Sequence, residues 1–190
     1  PSPTDELLLE QDGNVLTITF NRPDRLNAIT GPMLAALSTT LQAANVDRDV
    51  RAIIITGAGR GFCSGLDLKA QGGDKSDGAI QLGGRGYQMF DLHSSPPIVI
   101  NRMDKPIVCA LNGAAAGYGM DLALGCDIRL ASTVARFGET FVKRGLHPDW
   151  GGTYFLPRLI GMAKAAEMIF TGDMIDATEA LRLGLVSGVY

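Results

Sequence analysis

The chain has 190 residues, 46% of them hydrophobic and 19% charged, with a formal net charge of −3. That composition is globular rather than disordered, is long enough for a sizeable core, and argues against a broad nucleic-acid or anionic-membrane surface. No apolar run reaches membrane-span length, no N-terminal signal pattern is present, and three cysteines without CxxC spacing fit neither a disulfide framework nor a zinc site, so one cytoplasmic domain over residues 1–190 with reduced thiols is expected.

In chain order, VLTITF at 15–20 alternates and is β-branched, which predicts a strand ended by Asn21-Arg22-Pro23. Residues 30–44 predict a helix with Thr30 as N-cap and Met33, Leu34, Leu37 and Leu41 on its apolar face. The continuous apolar run AIIIT at 52–56 predicts a strand covered on both faces. A Gly-rich loop follows over 57–65, and the polar, Gly-rich stretch 70–95 is the candidate lid. PIVCAL at 106–111 predicts another buried strand, 113–125 a Gly turn opening a helix, and DIRLA at 127–131 a further strand. Helices are expected over 158–170 and, ending at Gly184, over 177–183. The β-α-β-lid-β-α-β-α order implies a mostly parallel α/β core.

The most informative stretch is NGAAAGYGMDLALGCD, 112–127. Small residues lead into a buried apolar helix whose opening N–H groups and positive dipole end suit a phosphate or a developing oxyanion. Asp121 is the only charge between Asn112 and Cys126. An acid there is either a helix-dipole partner or a catalyst.

Taken together, NRPDRLNAIT (21–30), IIITGAGRGFCSGLDL (53–68), KPIVCALNGAAAGYGMDLALGCDIRLAS (105–132), the run 135–172 and the A-x-x-A-L-x-L-G-L-V pattern at 177–186 resemble the crotonase superfamily, the enoyl-CoA hydratase/isomerase family. The resemblance covers nearly the whole chain. It implies an α/β fold with a crotonase-like ββα spiral core, the C-terminal helical part being missing at Tyr190. It implies an acyl-CoA thioester as substrate, no cofactor beyond the coenzyme A carried by that substrate, no metal, and a homotrimer or dimer of trimers. Carried over residue by residue, the backbone N–H groups of Leu66 and Tyr118 form the oxyanion hole. Many relatives have Gly where Tyr118 stands, so the pocket would be crowded there. Asp121 matches the first hydratase glutamate, which several isomerases replace with aspartate. Phe141 stands where hydratases carry a second glutamate, and Asp149 where dienoyl-CoA isomerases carry a catalytic aspartate. Acid at 121 and 149 with an apolar 141 leans toward double-bond isomerisation. Coenzyme A and acyl contacts are implied for Arg25, Leu26, Ala28, Cys63, Ser64, Gly65, Asp67, Leu68, Gly117, Phe141 and Trp150.

Plainer readings stand beside these. Asp149 sits in an ordinary turn composition. Glu139 is a rival proton carrier or a surface residue, His147 a packing histidine, and Cys63 a small buried residue rather than a nucleophile. Asp67 fixes the turn after Leu66, and Asp127 serves structure at a strand start. Trp150 and Tyr154 line the acyl pocket or pack in the core. The functional alternatives are hydration of a 2-enoyl-CoA, an inert acyl-CoA binder, and hydrolysis or dehalogenation through an aspartyl ester at Asp149.

Overall fold

The computed structural model describes residues 2–67 and 95–190. It begins with a hairpin, β1 (Leu7–Asp12) and β2 (Val15–Phe20), paired from Leu7↔Phe20 to Asp12↔Val15. Only Gly13 and Asn14 remain in the turn, and Gly13 takes a φ of +54° that suits a residue without Cβ. The sequence reading omitted β1, although Asp12-Gly13 between two extended runs is a hairpin signal.

Helix α1 (Gly31–Val46) has the predicted cap: Met33 N–H donates to Thr30 Oγ1 at 3.2 Å. Strand β3 (Ala52–Gly57) follows. Its burial alternates, with Ile53 and Ile55 fully buried and Ile54 half-buried, so the expectation of equal cover on both faces is corrected. The predicted loop 57–65 contains a short strand, β4 (Gly61–Cys63). The expected lid falls almost wholly on residues outside those described. Its last residue, Ser95, precedes an unpredicted helix, α2 (Pro96–Asn101). Pro at the first helical position is preorganised for a start, while the β-branched IVI that follows hides it.

Strand β5 (Ile107–Leu111) leads through Asn112 and Gly113 to β6 (Ala114–Ala116), then to α3 (Tyr118–Gly125). The small residues expected to be only a turn are thus partly a strand. Strands β7 (Ile128–Ala131) and β8 (Arg136–Gly138) come next, and then a 3₁₀ turn over Thr140–Arg144. The helix predicted over 158–170 is two helices, α4 (Gly152–Ile160) and α5 (Met162–Thr171). Gly161, at φ +81°, breaks them. Strand β9 (Ile175–Asp176), α6 (Ala177–Arg182) and β10 (Gly188–Val189) complete the chain.

The strands sort into two sheets. One has the order β1-β2-β3-β5-β7-β10, parallel except at β1–β2. The other has the order β4-β6-β8-β9, parallel except at β8–β9. Consecutive strands β3/β4, β5/β6 and β7/β8 each place one member in either sheet, with a helix after the first two pairs. That repeat is the ββα spiral. Ile18, Ile53, Ile55, Ile107 and Leu122, none of them exposed, belong to one core with α1 and α3. Each such side chain contributes roughly 1.5–3 kcal/mol on burial. Phe20 and Phe62 meet edge to face, 5.6 Å apart, and join the sheets. Among the described residues no helix is long and apolar enough to cross a membrane.

Candidate active site

Two asparagines, Asn27 fully buried and Asn112 half-buried, shape the loops around the site. Asn27 sits at φ +55°, a conformation Asn tolerates. Its amide donates to Ala58 O at 2.9 Å and Gly61 O at 2.7 Å, while its oxygen accepts from Arg22 N–H at 2.8 Å. Asn112 donates to Gly59 O at 2.8 Å and accepts from Gly57 N–H at 3.2 Å. Gly113 permits the close approach, since a Cβ there would fall 2.1 Å from Arg60 O.

Thus held, β4 delivers the turn Ser64–Asp67 beside the start of α3. Ile29 N–H donates to Gly65 O and Asp67 N–H donates to Ile29 O, each at 2.8 Å. These bonds flank Leu66 and turn its own N–H the other way. Gly117, at φ +53°, bends the chain into α3. A Cβ on Gly65 would lie 3.8 Å from Tyr118 N, so the two segments touch. Among the described residues, neither Leu66 N–H nor Tyr118 N–H has a backbone acceptor. Gly119 packs so tightly that a Cβ would stand 2.2 Å from Cys63 O.

An open groove of about 400 Å³ runs up to Leu66. Of the residues expected to touch substrate, Arg25, Leu26, Ala28, Leu66 and Asp67 line it. Arg60 and Arg144 also line it, and the sequence reading missed both. Asp67 is engaged by Arg22 at 2.9 Å and Arg25 at 3.6 Å, and Arg22 also reaches Glu6 at 3.0 Å. Ser64 is exposed and is not among the residues that line the groove, its N–H donating to Leu26 O at 3.0 Å. Leu68 lies outside the described residues. Cys63 is fully buried rather than on the groove wall, and burial pushes its thiol up to about 12, which suits packing and not nucleophilic attack.

The second group lies on α3 and the segment 139–152. Phe141 is buried, its ring 3.9 Å from where a Gly117 Cβ would be. Tyr118 is buried and meets half-buried Trp150 edge to face at 4.9 Å. Asp121 has no exposed surface, and its Oδ2 accepts from Trp150 N–H at 3.2 Å. Burial raises its carboxyl well above the usual range, and the charge of Asp149 adds to the rise. Asp149 is surface-accessible; partial burial raises its carboxyl too, while His147 works against the rise.

Glu139 is where the structure overturns the sequence reading. The expected surface role is wrong, for it is fully buried. A Cβ on Gly152 would fall 2.3 Å from Asp121 Oδ1 and 2.6 Å from Glu139 Oε1, so this glycine brings the two carboxyls together. Burial, then the charge of Asp121, pushes Glu139 far up. No local signal marks Glu139, because its partner is eighteen residues away and they meet only when β8 pairs with β6. Asp127 is structural as expected, accepting from Ile107 N–H at 2.7 Å. Tyr154 is exposed under the Arg158 guanidinium, 3.6 Å from its ring centre, and is not among the residues that line the groove.

The profile of a family described as enoyl-CoA hydratase/isomerase matches residues 10–190. A 1,2-epoxyphenylacetyl-CoA isomerase of Escherichia coli (strain K12) is 39% identical over 182 residues, covering 95% of this chain and 68% of that protein. A probable enoyl-CoA hydratase of Mycobacterium tuberculosis (strain H37Rv) is 41% identical over 181 residues, covering 95% and 68%. The crystal structure of an enoyl-CoA hydratase subunit from Geobacillus kaustophilus is 34% identical, with a TM-score of 0.86 over 99% of this chain and 70% of that one.

Proposed function

The chain belongs to the enoyl-CoA hydratase/isomerase family, and from that membership we propose that it isomerises the double bond of an enoyl-CoA thioester. The observation that carries this reading is that Leu66, on a groove bordered by three arginines, and Tyr118, whose N lies close to Gly65, both present N–H groups with no backbone acceptor among the described residues. Coenzyme A lies along the groove, its phosphates near Arg25, Arg60 and Arg144. The thioester oxygen takes both N–H groups as charge develops on it. Loss of one such donor costs roughly 3–4 kcal/mol of transition-state stabilisation. Asp149 removes a proton from one carbon of the acyl chain, and the same acid or Asp121 returns it to another. Partial burial raises the Asp149 carboxyl, which makes it a stronger base for taking the proton. Phe141 supports isomerisation over hydration, because an apolar ring stands where hydratases carry a carboxylate.

Hydration of a 2-enoyl-CoA is the second reading. One observation favours it: Asp121 has a second carboxyl beside it after all, that of Glu139. Relatives with both types of name match the chain, at 39% identity for the isomerase of Escherichia coli and 41% for the probable hydratase of Mycobacterium tuberculosis. The test offers a 3-enoyl-CoA and a 2-enoyl-CoA separately and follows the conjugated thioester absorbance. A rise with the first substrate that outpaces loss with the second supports isomerisation, and the reverse supports hydration. Tight thioester binding without either change means an inert binder.

The same reading takes the protein as cytoplasmic, in keeping with three buried, unbridged thiols. It takes the assembly as a homotrimer or dimer of trimers, supported by Met162 and Phe170 of α5, 72% and 77% exposed. A stable monomer in light scattering would overturn the assembly.

A further inference from the structure

Among the described residues, every buried side-chain nitrogen or oxygen without a hydrogen-bond partner lies in one neighbourhood: Tyr118 Oη, Asp121 Oδ1, and both oxygens of Glu139. Orphaned buried polar atoms are costly, and a buried unpaired charge costs more. Two carboxylates facing each other across Gly152 cannot both be ionised there. If one carries a proton, however, the same geometry becomes a hydrogen bond between carboxyl and carboxylate. That bond satisfies Asp121 Oδ1 and one oxygen of Glu139 in a single step, and it is of the strong, charge-assisted kind.

We propose that Glu139 is a positioning residue: held protonated, it donates its carboxyl hydrogen to Asp121 Oδ1 and fixes Asp121 as the charged partner of the pair. The choice of donor follows from the surroundings. Asp121 already accepts from Trp150 N–H on Oδ2, which favours its charged form. Among the described residues, Glu139 has no donor of its own, and the charge that acts on it is that of Asp121. Contact between the two favours ionised Asp121 and neutral Glu139. The other titratable groups facing the pair are Tyr118 of α3 and Asp149, with His147 acting on Asp149 and Cys63 on Tyr118. None of them is positioned to charge Glu139. Gripped on both oxygens, the Asp121 carboxylate has one orientation, and its protonation is set by a buried neighbour rather than by solvent. With Asp121 ionised, Asp149 both takes and returns the proton in isomerisation, and in hydration the Asp121 carboxylate accepts a proton from the attacking water.

The kinetic arm of the test rests on the proposed enoyl-CoA chemistry, while the spectroscopic arm does not. Infrared spectra of the whole protein at neutral pH should contain the carbonyl band of a buried, protonated carboxylic acid. Glu139→Gln should remove that band with the fold intact by circular dichroism. A wild-type spectrum without the band, or a band that survives in Glu139→Gln, overturns the proposal even if no substrate is ever turned over. In kinetics, Glu139→Gln retains a donor, so it should keep most of kcat. Glu139→Met matches the length without a donor. It should lower kcat by on the order of 10²-fold at little cost in KM, with the acid limb of the pH profile moved upward. Gln and Met variants with the same kcat and the same profile overturn it. Should the Met variant fail to fold, the infrared comparison of wild type and Glu139→Gln decides.

Discussion

Gly152 decides how close two acids come. A Cβ at that position would collide with oxygens of both Asp121 and Glu139. Gly152→Ala must therefore push the carboxyls apart or shift the start of α4. The expected outcome is a clear drop in melting temperature together with loss of turnover, checked by calorimetry and the absorbance assay on the same preparation. The aspartates separate differently. Asp149→Asn and Asp121→Asn are near-isosteric and remove charge alone. If both move protons, each lowers kcat by about 10²–10⁴-fold while thioester binding by calorimetry is unchanged. An active Asp149→Asn beside a dead Asp121→Asn would sink the two-aspartate scheme and turn the assignment toward hydration. The site is legible at this scale in part. Asp121 and Asp149 stand out beside glycines, whereas Glu139 reads as an ordinary polar residue until the sheet brings it to Asp121.

At the scale of elements, caps and breaks matter most. Thr30 accepts from Met33 N–H and donates to Glu6 at 2.8 Å, tying α1 to the hairpin. Glu6 in turn holds Arg22, which holds Asp67 in the turn after Leu66. Thr30→Ala should cost about 1 kcal/mol of stability, read by urea unfolding. Because the chain of contacts ends at the Leu66 turn, the same variant should also weaken thioester binding measurably. Unchanged binding would mean the turn holds without it. The helices α4 and α5 show what periodicity misses: their apolar faces run on as if continuous, but Gly161 adopts a conformation no helix interior allows. The strands β4, β6 and β8 show the same limit from the other side. Three residues each, of types GFC, AAA and RFG, are too short for any alternation to register.

Across the whole molecule, buried acids set the pH response. The Asp121–Glu139 pair holds a proton, carried by Glu139, in the folded state at pH values where the unfolded chain, with both carboxyls near pH 4, has released both. The folded state binds more protons in that window, so stability falls as pH rises from the ordinary carboxylate range through neutrality. Glu139→Gln removes this site. Its melting temperature should therefore gain on wild type progressively as pH increases across the window, and the two should converge in acid. Parallel curves at every pH would mean that Glu139 is not protonated in the native state. The groove gives a second whole-molecule response. Three arginines at its border imply thioester affinity that weakens with added salt, because exposed charge pairs are screened.

What the sequence determined by itself is the set of parts. Hydrophobic period, capping and turn chemistry are local, so β2, α1, β3, β5, α3, β7 and α6 could be read near their true bounds. The Gly-rich segments around Gly65 and Gly117 were legible as places of close approach, because only glycine permits such backbone. Tertiary structure alone decided how the parts meet. It divided consecutive strands between two sheets, lined the groove with Arg60 and Arg144 as well as Arg25, and buried Glu139 against Asp121. Those outcomes depend on pairings between residues far apart in the chain, and no local window carries the free energy of a contact that forms only when the sheets close.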